Sequence, residues 1–107
     1  MSEKLIVTTT PMIEGKQIVE YKGIVFGEAT FGSGMGVELK GIVAAFTGKR
    51  TGGYEKKLLE TRFAALEQMQ SRAAELGANA VVGVDVDYEF IDTVLMISAS
   101  GTAVIVQ

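Results

Sequence analysis

The chain contains no cysteine and no histidine. Without thiolate or imidazole, zinc, copper and nickel lose their good protein ligands. Cys–His and Ser–His nucleophilic arrangements are excluded as well. The missing cysteines also remove disulfides as a guide to compartment. Positive charge is in short supply: 10 Lys and Arg stand against 13 Asp and Glu, for a net charge of −3. No basic stripe is left to displace counterions from phosphates, so no nucleic-acid partner is expected. No apolar run approaches the ~18 residues of a spanning helix, so no membrane partner is expected either. Met1–Ser2–Glu3–Lys4 lacks the basic-then-apolar layout of a signal peptide, and a cytoplasmic location is the expectation.

Apolar residue is what the chain has most of, at 48% of 107 residues against 21% charged. This length makes one domain, residues 1–107. A body of that size buries roughly two-thirds of its unfolded surface. The remaining apolar residues need a covered surface, and a homo-oligomeric interface is the usual one.

In chain order, Leu5–Thr9 is β-branched and reads as a short first strand, closed by Thr10–Pro11; Glu14–Gly15–Lys16 reads as a turn. Gln17–Thr30 reads as one long strand bent or bulged at Gly23. Phe31–Gly36 is glycine-dense loop, and Val37–Phe46 reads as a short apolar helix, buried or at an interface. Thr47–Gly53 is a loop in which Thr51 can cap the next helix. That long helix is predicted over Tyr54–Leu76, with a core stripe of Leu59, Phe63, Leu66, Met69 or Gln70, Ala73 and Leu76. Gly77 ends it, since glycine takes the left-handed conformation without steric penalty. Val82, Val84, Val86, Tyr88 and Phe90 then alternate with Gly83, Asp85, Asp87 and Glu89, the period of a half-buried strand. Leu95–Val106 is the last strand. The expected fold is a two-layer α+β domain of order β-β-α-α-β-β. Its four-stranded, mainly antiparallel sheet has a hairpin at either end and is covered by one long and one short helix.

Residues from end to end resemble the YbjQ-like family. They include Thr8–Thr9–Thr10–Pro11, Ile18–Val19–Glu20–Tyr21, Gly27–Glu28–Ala29, Arg50, Tyr54–Glu55–Lys56, Leu76–Glu89 and Ser98–Val104. The family is small, bacterial and archaeal, of unknown function, and sometimes labelled a heavy-metal-binding domain. The resemblance implies a compact α+β subunit that assembles into ring-shaped homopentamers, with no established activity; no cofactor and no enzyme activity are expected of this chain. Val37–Glu38 and Ala44–Ala45 stand where the family usually carries Arg-Asp pairs. A heavy-metal role fits a chain without Cys or His badly.

Two constellations carry candidate chemistry. Asp85, Asp87 and Glu89 share one strand face about 7 Å apart, from the rise per residue. Neighbouring subunits and water could complete a shell there for a hard cation such as Ca²⁺ or Mg²⁺. The plain alternative is a solvated acidic face. Gly48–Lys49–Arg50–Thr51–Gly52–Gly53 outlines an anion site at a helix start, with Arg50, Gly52 and Tyr54 as candidate ligand contacts. It is not a phosphate-binding Walker loop, because Arg50 follows where Ser or Thr should be. The plain alternative is a cap and an ion pair. Met12, Met35, Met69 and Met96 read as core filling rather than thioether ligands. Ser98, Ser100 and Thr102 read as hydrogen-bonding residues along a pore or interface. Glu28 is a lone carboxylate.

The function expected is a non-enzymatic, homo-oligomeric module, a pentamer by resemblance, that holds a small ligand or ion. The alternative is a hydrolase assisted by a hard metal, with Asp85, Asp87, Glu89 and Arg50 in its site.

Overall fold

The computed structural model describes residues 5–31, 52–92 and 94–107. Its strands are β1 (Ile6–Val7), β2 (Ile18–Phe31), β3 (Ala80–Ile91) and β4 (Val94–Val106), and its helix is α1 (Gly52–Glu75). The expected short helix at Val37–Phe46 lies outside the described residues.

The sheet is mixed, in the order β1-β3-β4-β2. The C-terminal hairpin is present: β3 and β4 pair antiparallel from Ala80↔Val104 to Ile91↔Val94. The expected N-terminal hairpin is not. β1 pairs parallel with β3, Ile6 opposite Ala80, and β2 lies at the other edge, antiparallel to β4. A two-residue β1 offers little ladder to a hairpin partner. Its backbone goes instead to the end of β3, where the Ile6 N–H donates to the Asn79 carbonyl and the Thr8 N–H to the Val81 carbonyl.

The helix stop works as the glycine suggests. Gly77 has φ +86°, its N–H donates to the Ala74 carbonyl, and the Ala78 N–H donates to the Ala73 carbonyl. That pair of bonds is the Schellman closure, and it satisfies carbonyls the helix would leave bare. Two residues on, the side chain of Asn79 exchanges both its hydrogen bonds with the Val106 backbone, at 3.0 and 2.8 Å, and so extends the β3–β4 ladder by one rung.

The helix sits mainly on β2, lying so close that a Cβ on Gly27 would collide with the Ala65 carbonyl and come 2.6 Å from the Met69 nitrogen. Only small or slender side chains fit such an approach. The buried stripe of α1 is therefore Thr61, Ala65, Met69 and Ala73, flanked by half-buried Leu58 and Leu66. This corrects the expected stripe: Met69, Ala73 and Leu66 belong to it, whereas Leu59, Phe63 and Leu76 are 43%, 57% and 45% exposed. Buried Thr61 satisfies its hydroxyl on the Lys57 carbonyl one turn back, at 2.8 Å.

Beneath the helix lie Val25, Phe31, Val81, Val84, Leu95, Ile97, Ala99 and Ala103. Each fully buried large side chain among them, such as Phe31, Ile97 or Val81, contributes about 1.5–3 kcal/mol relative to exposure, as does Met69 above them. A second, smaller cluster of Ala80, Val82, Val104 and Val106 occupies the other face of the sheet, with Ile13 and Ile18 against it.

Gly83 separates the two clusters. It has φ +64° and sits in a register shift between Val82↔Thr102 and Asp85↔Ser100. The extra residue of this bulge reverses the phase of the strand. Val82 thus packs on the face away from α1, while Val84 and Val86 pack on the helix side. An unbroken alternation from Val82 to Phe90 is corrected accordingly. The bulge is held from outside, its Gly83 and Val84 N–H groups donating to the Thr10 and Thr8 carbonyls at 2.9 and 3.1 Å.

Candidate functional site

After the bulge, the face of the sheet turned away from α1 carries three parallel columns. β3 presents Asp85, Asp87 and Glu89, β4 presents Ser100, Ser98 and Met96 opposite them, and β2 presents Phe26, Glu28 and Thr30 opposite those. The rows across the strands are Asp85–Ser100–Phe26, Asp87–Ser98–Glu28 and Glu89–Met96–Thr30. The acidic face is thus where the alternation places it, with all three carboxylates exposed and the β4 hydroxyls half-buried between strands.

The pairing adds something that one-strand periodicity does not show. Glu28 stands across Ser98 from Asp87, two strands away, so about 9.6 Å separates their backbones. The middle row therefore reads carboxylate, hydroxyl, carboxylate. Period-two patterning assigns faces within a strand but says nothing of which strands are neighbours, and Glu28 has no signal in sequence beyond its own charge.

The acidic column is internally repulsive. The Asp87 carboxyl is pushed above its ordinary value, first by the negative charge of Asp85 and then by a carboxyl–carboxylate hydrogen bond to it. Partial desolvation and Glu89 act in the same direction. Such a column gains from a neutralising proton or cation. Among the described residues, however, no three carboxylates of one copy converge on a point that could hold a metal ion. A hard cation on this face would need water or a second copy to complete its shell.

The second candidate is placed only in part. Gly52 is the first residue of α1 and Tyr54 lies in its first turn, while Arg50 and the preceding Gly48–Lys49 lie outside the described residues. Further along α1, Arg62 reaches β3, its Nε donating to the Tyr88 hydroxyl at 2.7 Å and its guanidinium 5.8 Å from the ring centre. Gln68 and Arg72 reach the opposite way, to the outer edge of β2. There the Glu28 N–H donates to Gln68 Oε1 at 2.7 Å, and Arg72 donates to the Phe26 carbonyl at 2.8 Å. No described helix is long and apolar enough to cross a membrane.

Comparison with known proteins places the chain. A profile of the YbjQ family, described as "putative heavy-metal-binding", matches residues 5–107. A "UPF0145 protein" of Listeria grayi is 51% identical over 106 residues, covering 96% of this chain and all of that protein. Its counterpart in Listeria welshimeri is 49% identical, with 96% of both chains covered. A crystal structure from Pediococcus pentosaceus, a protein of unknown function in the DUF74 family, matches with a TM-score of 0.67. It is 14% identical and covers 96% of this chain and 98% of its own, a likeness of fold. The metal description meets a donor set that does not suit it. The whole chain has neither Cys nor His, and buried Met69 is core filling.

Proposed function

This chain belongs to the YbjQ family, whose model matches residues 5–107, and we propose that it is a non-enzymatic, self-associating binding module. Copies pack through apolar surface left bare on each, and the acidic, hydroxyl-lined sheet face holds a small ligand or hard cation. Five copies in a ring, as the resemblance implies, is the assembly proposed.

One observation carries this reading. Large apolar side chains on β2 stand in a row on the face that α1 does not cover, with Tyr21 70%, Ile24 69% and Phe26 51% exposed. Scattered apolar exposure is ordinary, but a contiguous row on a strand is the mark of a contact surface. The columns beside it support a polar ligand rather than an apolar one, with serines and a threonine in the middle and carboxylates beyond.

Light scattering coupled to size exclusion tests the assembly. The expected result is a discrete mass of several chains at micromolar concentration. A monomer there would remove the reading.

A further inference from the structure

The helix is narrower than the sheet it covers. A helix with its side chains is about 10–12 Å across, and strands lie about 4.8 Å apart. Seated on β2 at Gly27, α1 therefore spans β2 and β4 but not β3. Val84 and Val86 still pack against the core. The next two residues on that face of β3 are left bare, Tyr88 46% and Phe90 63% exposed, although Ile97 and Leu95 opposite them on β4 are buried.

The flank of α1 that overlooks them is bare as well. Leu59 precedes Arg62 by three residues and Phe63 by four, so the three share that flank, and both apolar members are exposed. Among the described residues the result is a trough, with β3 as its floor and α1 as its wall. It bares on the order of 400 Å² of apolar surface, mostly aromatic.

A cation stands inside this trough. Arg62 is half-buried, its guanidinium over the Tyr88 ring and its Nε donating to the Tyr88 hydroxyl at 2.7 Å. That bond uses one of the five guanidinium N–H groups and makes the phenol oxygen an acceptor, so the phenol keeps a proton to donate. Among the described residues no carboxylate pairs with Arg62. A partly desolvated guanidinium gains more from an anion than an exposed one does.

We propose that this trough, on the face opposite the acidic columns, binds a small carboxylic acid with an apolar body. Its carboxylate sits on the free fork of Arg62 and the Tyr88 hydroxyl, and its body lies over Phe90, against Leu59 and Phe63. Charge complementarity selects the head group, because the planar fork matches the two oxygens and single charge of a carboxylate. The walls select the body, since a wholly polar anion would leave the rings in water. Tyr88 and Phe90 are two residues apart on the strand, so the floor takes a body about 7 Å long.

The probe is 4-phenylbutyrate, with its amide as the uncharged match, titrated by calorimetry into the parent chain at pH 7. The expected result is saturable binding of one acid per chain, with the amide at least about tenfold weaker. Arg62→Met, which keeps the apolar stem of the side chain, should weaken the acid to the same degree. Tyr88→Phe should weaken it several-fold, and it decides the matter if Arg62→Met does not fold. No saturable binding by the parent would overturn the proposal, the trough then being filled by other residues of the chain or by a second copy. Equal affinity for acid and amide, or unchanged affinity in the folded variants, would overturn it too, because apolar contact alone would then explain the uptake.

Discussion

Gly27 of β2 and Ala65 of α1 touch backbone to backbone: a single methyl group added at Gly27 would run into the Ala65 carbonyl and lie 2.6 Å from the Met69 nitrogen. The seat of the helix on the sheet is set by this contact, and so is the identity of the buried stripe. Gly27→Ala is predicted to destabilise the fold by at least about 3 kcal/mol, because backbone on both sides must move to admit the methyl. Urea unfolding monitored by circular dichroism measures it. A loss below about 1 kcal/mol, the ordinary range for a surface change, would contradict the close packing.

The same contact shows where sequence stops being legible. Gly77 as helix stop, the long β2 with a bulge at Gly23, the β3–β4 hairpin and the acidic face are all local or period-two signals. Each is found in the structure, including register shifts at Tyr21/Gly23. The helix stripe was legible only in part. Periodicity favours the largest side chains, and Leu59 and Phe63 are larger than Thr61 and Ala65. The glycine that makes small residues the right ones lies 38 positions away, on another element. The phase reversal at Gly83 and the β1–β3 pairing are likewise set by long-range partners, the Thr8 and Thr10 carbonyls. In the candidate site, Asp85, Asp87 and Glu89 could be placed on one face from spacing alone. Glu28 could not be joined to them without the order of the strands.

The acidic column predicts a definite pH dependence. The folded-state pKa of Asp87 is raised above its ordinary 3.8, so the folded chain binds this proton more tightly than the unfolded one. Stability from this group is therefore present below about pH 3.8 and falls as pH rises through the raised value. Asp87→Asn should be more stable than the parent at pH 7 in chelator-treated protein, with the gain vanishing in acid. Thermal melts across pH 3–8 follow it. A variant less stable than the parent at pH 7 would show that the carboxylate has a favourable partner there.

Gln68 and Arg72 guard the middle of the β2 edge. Replacing both with alanine removes two hydrogen bonds, one of them from a charged donor, at a cost of roughly 1–3 kcal/mol. It also bares strand edge to other chains, so the double variant should unfold at lower urea and scatter more light on standing. Unchanged solubility and unchanged urea midpoint would mean that water satisfies those groups equally well.

The donor set predicts metal preference. Isothermal titration with Zn²⁺ should show no saturable site, whereas Ca²⁺ or Mg²⁺ binding, if seen, should be weak and lost in the Asp85→Asn/Asp87→Asn double variant. A tight Zn²⁺ site would contradict the reading of the acidic face as a hard-cation surface.

The most direct measurement is native mass spectrometry of the parent chain and of Ile24→Asp, purified without chelator, with elemental analysis of the same samples. The account predicts a multiple of the subunit mass for the parent, five subunits in a closed ring, and monomer for Ile24→Asp, which sets a charge in the exposed row of β2. A parent chain that is monomeric at micromolar concentration would contradict it.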